Sequence, residues 1–99
     1  MIEVYSYRYG GKCRLLVTGH AAYSPGNDIV CAGVSALVGA LARYAADHYE
    51  HVRCSMRSGE MFLAAGNGAQ NGFDMIVEGL AAIGAAYPDH VRVYHTLTE

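Results

Sequence analysis

The feature that most constrains the fold is a long apolar run that begins at Ile29. No charged side chain occurs from there to Ala42. Asn27 or Asp28 supplies an N-cap for a helix that we expect to reach about Tyr49. Its larger apolar side chains recur at helical spacing and are Val30, Val34, Leu37, Val38, Leu41 and Ala45. The other faces carry mainly Ala and Gly, so this helix needs cover on more than one side, from its own sheet and from a second helix or a partner subunit.

The segment before this helix has the pattern of a β-hairpin. Residues 2–9 alternate, the sequence GGK at 10–12 forms a turn, and residues 13–19 form the return strand. The apolar parity of the first strand switches between Val4 and Tyr5. This switch predicts either a β-bulge or a strand covered on both faces.

A second hairpin and a second helix follow. Residues 51–58 and 60–66 flank a turn at Ser58 and Gly59, residues 73–87 carry an apolar helical face that Pro88 ends, and residues 90–97 form a last strand. The order ββαββαβ predicts an α+β fold of two layers. We expect a mainly antiparallel five-stranded sheet with both helices on one face, in a single domain over residues 1–99.

Composition excludes several classes of protein. With 53% hydrophobic and 16% charged residues the chain is not a disordered segment. Its net charge is −2 and its seven Lys and Arg residues are scattered singly, so no direct binding of nucleic acid is expected. The uncharged helical run extends only about 21 Å, short of the roughly 30 Å of a bilayer core, and the first residues do not resemble a signal peptide. We therefore expect a soluble protein.

The cysteines indicate a reducing environment. Three cysteines, with no CxxC pair, suggest neither a disulfide framework nor a zinc module. We accordingly expect a cytoplasmic protein with no metal and no cofactor.

One pair of residues is suited to nucleophilic chemistry. If Asp28 is the N-cap, Cys31 lies in the first turn of the helix, where unpaired N–H groups and the helix dipole favour a thiolate. His20 precedes it by eleven residues, at the end of a strand and across a loop that can fold it back as a base. The N–H groups of the same turn are suited to stabilise an oxyanion.

Structural roles are the alternative for both residues. A cysteine in an Ala- and Gly-rich helix is most often a small core residue, and a histidine after a strand is usually structural. The spacing of the two residues around a capped loop favours a nucleophile and its base. From the residues alone, this interpretation and the structural one both stay open.

The sequences GHA at 19–21 and GNDIVCAGVSAL at 26–37 resemble the ribosomal-processing cysteine protease family called Prp. A weaker similarity covers the rest of the chain, including GLAAIGAAYPDHVRV at 79–93. The resemblance implies a small cytoplasmic bacterial homodimer of α and β structure. It also implies a substrate, the short N-terminal extension of the large-subunit ribosomal protein bL27.

The same resemblance implies a Cys-His dyad in which Cys31 is the nucleophile and His20 the general base and acid. Asp28 matches the aspartate of the motif, where it either caps the helix or orients His20. Ser35 lies one turn beyond Cys31, so it either lines the site or bonds back to the Cys31 carbonyl. Gly26 is expected to give the loop its backbone freedom.

The chain departs from the family pattern at Gly33, where the family usually has Ala. Glycine inside a helix costs of order 1 kcal/mol, which bears on local stability more than on chemistry. We therefore predict a cysteine endopeptidase. Two alternatives remain, a non-catalytic ribosome-associated protein that binds a peptide tail, and a thiol-dependent redox or transfer protein, although no second cysteine lies close in sequence to resolve a disulfide.

Overall fold

The computed structural model of the protein describes residues 1–20, 29–66 and 70–98. Two helices and five strands follow one another in the predicted order, ββαββαβ. Their bounds are β1 Ile2–Tyr9, β2 Lys12–Thr18, α1 Ile29–His48, β3 Arg53–Arg57, β4 Glu60–Ala65, α2 Gln70–Ala86 and β5 Val91–Thr98. The predicted α+β class is confirmed, and helix α2 begins three residues before the first apolar residue of its stripe.

The strands form one mixed sheet in the order β3-β4-β2-β1-β5. Both hairpins and the β2–β4 pair are antiparallel, whereas β1 and β5 are parallel. The parallel pair arises because α2 carries the chain from β4 across the sheet to its far edge. The sheet is thus mostly antiparallel, as predicted.

Both helices pack on the same face of the sheet. Alternate side chains of β1, β2 and β4, such as Val4, Leu15 and Leu63, are completely buried beneath them. From α1 the residues Val30, Val34, Val38, Leu41 and Ala45 complete this core. From α2 the buried residues are Phe73, Ile76, Val77 and Leu80. The described residues therefore share one apolar layer between helices and sheet.

Strand β1 runs without the predicted bulge. Its pairing with β2 is continuous from Glu3 to Tyr9, and within the described part of the chain the helices cover one side of it. The parity switch arises because Ser6, a polar residue, occupies a core position, where its hydroxyl donates to the Tyr94 carbonyl at 3.3 Å and lies 3.0 Å from Nδ1 of His95. The expectation of a bulge or a doubly covered strand is wrong, because a satisfied hydroxyl can replace an apolar side chain in the core.

Helix α1 is long and apolar enough to cross a membrane, judged by length and composition alone. Its 20 residues span about 30 Å, more than the uncharged run by itself. One stripe of its side chains is nevertheless buried in the fold, and Arg43 and Asp47 lie in its second half. Because the core helix of a soluble protein has the same length and composition, we assign α1 to the core.

Candidate active site

Cys31 is the third residue of α1, the position that the sequence predicts for it. It is half-buried and packs against the apolar core from one side. On the other side it lines a cavity of about 310 Å³. The sulfur is therefore not sealed in a dry interior, and it lies in the first turn of a helix, where the dipole favours an anion.

His20 lines the same cavity from the end of β2. The chain leaves the strand through Gly19, whose φ is +92°. The amino group of Met1 donates to the His20 carbonyl at 2.6 Å, and the Gly19 amide donates to the Gly59 carbonyl at 2.9 Å. These bonds fix the backbone on both sides of the histidine, while its side chain remains exposed to solvent.

The imidazole of His20 lies against Gly59 in the β3–β4 turn. A Cβ atom added to Gly59 would lie 2.9 Å from Nε2 of His20, closer than such contacts occur. The φ of Gly59 is +75°, which also favours glycine. The ring therefore occupies space that exists only because this turn residue lacks a side chain.

The wall opposite α1 is formed by the β3–β4 turn. Arg57 and Glu60 flank this turn, both side chains are largely exposed, and Arg57 Nε lies 4.0 Å from Glu60 Oε1. The floor is apolar and consists of Ile2, Val17, Val34, Val38 and Met61. An apolar floor with polar walls suits a peptide segment, whose backbone needs hydrogen bonds and whose side chains need apolar cover.

The structure brings three of the five predicted site residues to one cavity, namely His20, Cys31 and Ser35. Ser35 is exposed there. Asp28 and Gly26 lie outside the described residues, so their roles stay predictions. Sequence reasoning missed the β3–β4 turn: the dipeptide Ser58-Gly59 signals a turn, but only the sheet order places it beside His20.

The other two cysteines lie outside this cavity. Cys13 is buried in the core, and burial raises the pKa of its thiol to about 11, although its bond with the Ala65 backbone acts in the opposite direction. Cys54 is exposed on edge strand β3. Of the three, Cys31 combines partial exposure, a position at a helix N-terminus and a histidine that lines the same cavity, as expected of a nucleophilic cysteine.

Comparison with protein families gives a match to the family described as cysteine protease Prp. The match covers residues 1–92 and therefore includes every predicted site residue. Comparison with curated proteins gives no significant match.

Several solved protein chains have a fold similar to that of this chain. The first is the essential ribosomal processing protease Prp of S. aureus with a covalently linked product peptide, at a TM-score of 0.81 and 24% identity, covering 97% of this chain and 100% of that chain. The same protease with a substrate peptide gives a TM-score of 0.74 and 21% identity, with coverage of 97% and 100%. The SMU.848 protein of Streptococcus mutans gives a TM-score of 0.73 and 22% identity, and the match covers 99% of this chain and 96% of that chain. At these identities the likeness establishes the fold.

Proposed function

The chain belongs to the Prp family of cysteine proteases, and from this premise we propose that it removes a short N-terminal extension from ribosomal protein bL27. The structurally similar S. aureus enzyme is a ribosomal processing protease that has been seen with substrate and product peptides. The sequence motif around His20 and Cys31 supports a ribosomal protein as the substrate of this chain as well.

The chemistry follows from the two side chains that share the cavity. His20 accepts the proton of the Cys31 thiol, and the thiolate attacks the carbonyl carbon of the scissile peptide bond. Amide groups of the first turn of α1 stabilise the oxyanion. When the C–N bond breaks, His20 returns the proton to the departing amine and an acyl-thioester remains on Cys31. A water that gives its proton to His20 then hydrolyses the thioester and releases the new carboxylate.

One observation carries this proposal. A histidine after β2 and a cysteine in the first turn of α1, eleven residues apart in sequence, line one open cavity. If Cys31 were only a core residue and His20 only structural, the half-buried thiol and the exposed imidazole would have no reason to share a cavity. The apolar floor beneath them supports an extended substrate laid between α1 and the β3–β4 turn.

We further propose a cytoplasmic homodimer. Five of the 20 residues of α1 are buried, although the helix is apolar almost throughout. Its outward side exposes Ala32, Ala36 and Ala40, small residues that allow close approach of a second helix. Light scattering on a gel-filtration column tests this, since a chain of 10.6 kDa and its dimer differ twofold in mass.

The decisive experiment uses a peptide that spans the N-terminal extension and the first residues of mature bL27 from the same organism. Wild-type protein is expected to cut it at one bond, and C31A is expected to lose at least about a thousandfold in kcat/KM, because the nucleophile is gone. C54A is the matched control: it removes an exposed thiol that does not line the cavity and should retain the wild-type rate.

Two outcomes would contradict the proposal in different ways. Cleavage by C31A at the wild-type rate would exclude Cys31 as the nucleophile. Cleavage of a scrambled peptide as fast as the bL27 peptide would exclude the proposed substrate while leaving the protease chemistry intact. Mass spectrometry of rapidly quenched wild-type protein should show the acyl group on the tryptic peptide that contains Cys31.

A further inference from the structure

The face of the sheet opposite the helices is uncovered in the described chain, and we call it the open face. Strand pairing assigns to it the side chains that alternate with the buried ones. Tyr5, Tyr7, Tyr9 and Tyr94 lie there and are each 40–51% exposed. Sheets with a hydrated face usually present polar residues on it, so four exposed aromatic rings on one face indicate a binding surface.

The aromatic side chains are arranged as a platform. Pairing aligns Tyr94, Tyr5, Leu16 and Phe62 in one row across β5, β1, β2 and β4. The rings of Tyr5 and Tyr94 stack with centroids 5.0 Å apart and an angle of 13° between their planes. The Tyr5 hydroxyl donates to Glu3 Oε2 at 2.7 Å, which holds this ring in place. The row spans about 14 Å at the usual strand spacing.

Cations surround this row. Five of the seven Lys and Arg residues of the chain belong to the open face, namely Lys12, Arg14, Arg53, Arg57 and Arg92. Among the residues that the structure describes, the face carries two carboxylates, Glu3 and Glu60. Its formal charge is therefore +3, and since the whole chain has −2, the remainder of the molecule has −5. Such a distribution directs an anionic partner to the sheet and away from the helices.

A cavity of about 470 Å³ adjoins the platform at the end of β1. It combines the rings of Tyr7 and Tyr9 with the cationic groups of Lys12 and Arg14, and His51 closes one side. Aromatic faces next to cations form the type of site that accepts a base and its phosphate together.

From this arrangement we infer that the open face binds single-stranded RNA. A single strand supplies both of the required features, phosphates for the cations and unstacked bases for the tyrosine rings. An acidic peptide would satisfy only the charge. A duplex would present phosphates without exposed bases.

The choice of RNA over DNA rests on the proposed function, because a ribosomal protein is the proposed substrate. This inference differs from the expectation drawn from the sequence, which was that the chain does not bind nucleic acid directly. That expectation rested on the wide spacing of the cations along the sequence. The sheet collects them, because five cations from the three strands β2, β3 and β5 share one face. Of the open-face residues named here, Arg57 and Glu60 also line the protease cavity, where they flank the β3–β4 turn. The row of rings and the cavity at the end of β1 share no residue with the protease cavity, so RNA bound there and substrate peptide need not compete.

The test measures fluorescence anisotropy of a labelled 12-nucleotide oligouridine against wild-type protein at several salt concentrations. Binding is expected to weaken linearly with salt on a double-logarithmic plot. R14E should weaken binding at least about fivefold and reduce the salt slope by roughly 0.7, the value for one phosphate contact of a single strand. The matched control is R43E, which reverses an exposed charge on α1 and should bind as wild type does.

A second pair of variants tests the stacking. Y94L keeps an apolar side chain but removes the ring, and it should weaken binding about fivefold or more. Y44L removes an exposed ring from α1 and should leave binding unchanged. Cleavage of the bL27 peptide by R14E and Y94L at the wild-type rate would show that both variants are folded.

Several results would overturn the inference. One is binding of duplex RNA as tight as that of oligouridine, and another is displacement of oligouridine by a polyglutamate peptide as effective as by unlabelled oligouridine. Binding of oligothymidine DNA without binding of oligouridine would also contradict it. So would a loss of affinity in R43E as large as in R14E, or in Y44L as large as in Y94L. Because RNA binding and peptide cleavage are measured separately, failure of one does not imply failure of the other.

Discussion

At the scale of single residues, two glycines determine where His20 lies. Gly19 turns the chain out of β2 with a φ of +92°, and an added Cβ there would collide with the Met1 carbonyl oxygen. Gly59 leaves the space that the imidazole fills. The position of His20 thus depends on the absence of side chains, because any β-carbon at either position would move the histidine backbone or its ring.

We predict that G59A lowers both the stability of the protein and its rate of peptide cleavage. Alanine at a φ of +75° loses about 1–2 kcal/mol of stability, and the new methyl group must displace the His20 ring. Cleavage should fall at least about tenfold in kcat/KM. The control is G10A: its φ of +58° carries a similar backbone cost, but no atom lies within 4 Å of the added Cβ.

Chemical denaturation and peptide cleavage, measured on both variants, separate the two effects. Both should unfold at lower denaturant concentration, and only G59A should lose activity. Equal activity of the two variants would show that the position of His20 does not depend on the β3–β4 turn.

At the scale of elements, the contact between α1 and α2 is made partly by glycines. Gly33 of α1 faces Ile83 of α2, and Gly79 of α2 faces Leu37 of α1. A Cβ added at Gly33 would lie 3.4 Å from Ile83 Cδ1, near ordinary van der Waals contact, whereas one at Gly79 would lie 3.1 Å from Leu37 Cδ1. The two glycines therefore differ in how much a methyl group would disturb the packing.

We predict that G33A stabilises the protein by about 0.5–1 kcal/mol, because alanine has the higher helix propensity and the site accepts its methyl group. G79A should gain less or lose stability, since Leu37 must move to admit the new atom. Urea unfolding curves of the two variants measure the difference. A larger gain for G79A than for G33A would contradict this account of the helix contact.

At the scale of the whole molecule, burial of a thiol in the core makes the free energy of unfolding depend on pH. The Cys13 thiol is buried on the helix side of β2, and burial raises its pKa from 9.0 to about 11. In the unfolded chain this thiol loses its proton first, so between these values the unfolded state binds fewer protons than the native state. The free energy of unfolding must then fall as pH rises through this range.

We predict that the contribution of Cys13 to stability is complete below pH 9.0 and is lost as the pH approaches about 11. The free energy of unfolding of C13A should decline less steeply over this interval than that of wild type. C54A, which also removes one cysteine but an exposed one, is the matched control for the substitution itself. Burial raises the pKa of Tyr49, and the charge of the nearby Cys13 raises it further, so the loss of Cys13 should flatten the Tyr49 contribution in C13A in the same direction. Identical slopes for C13A and wild type would show that Cys13 does not titrate with folding.

Local patterns predicted the elements well. The apolar spacing after Ile29 defined α1, and Ser58 with Gly59 marked the second turn, because both signals depend on neighbouring residues alone. The order ββαββαβ then predicted the two-layer fold. The bulge in β1 was predicted wrongly, since the sequence does not show that the Ser6 hydroxyl finds partners on β5.

The sequence by itself determined the candidate catalytic groups of this protease: a cysteine in the first turn of an apolar helix and a histidine before the preceding loop. Only the tertiary structure decided what surrounds them. The β3–β4 turn reaches His20, and five cations and four tyrosines share one face, because sheet order and register join strands that are distant in sequence. Helix and turn signals act within a few residues, whereas strand pairing is set by burial summed over the whole sheet.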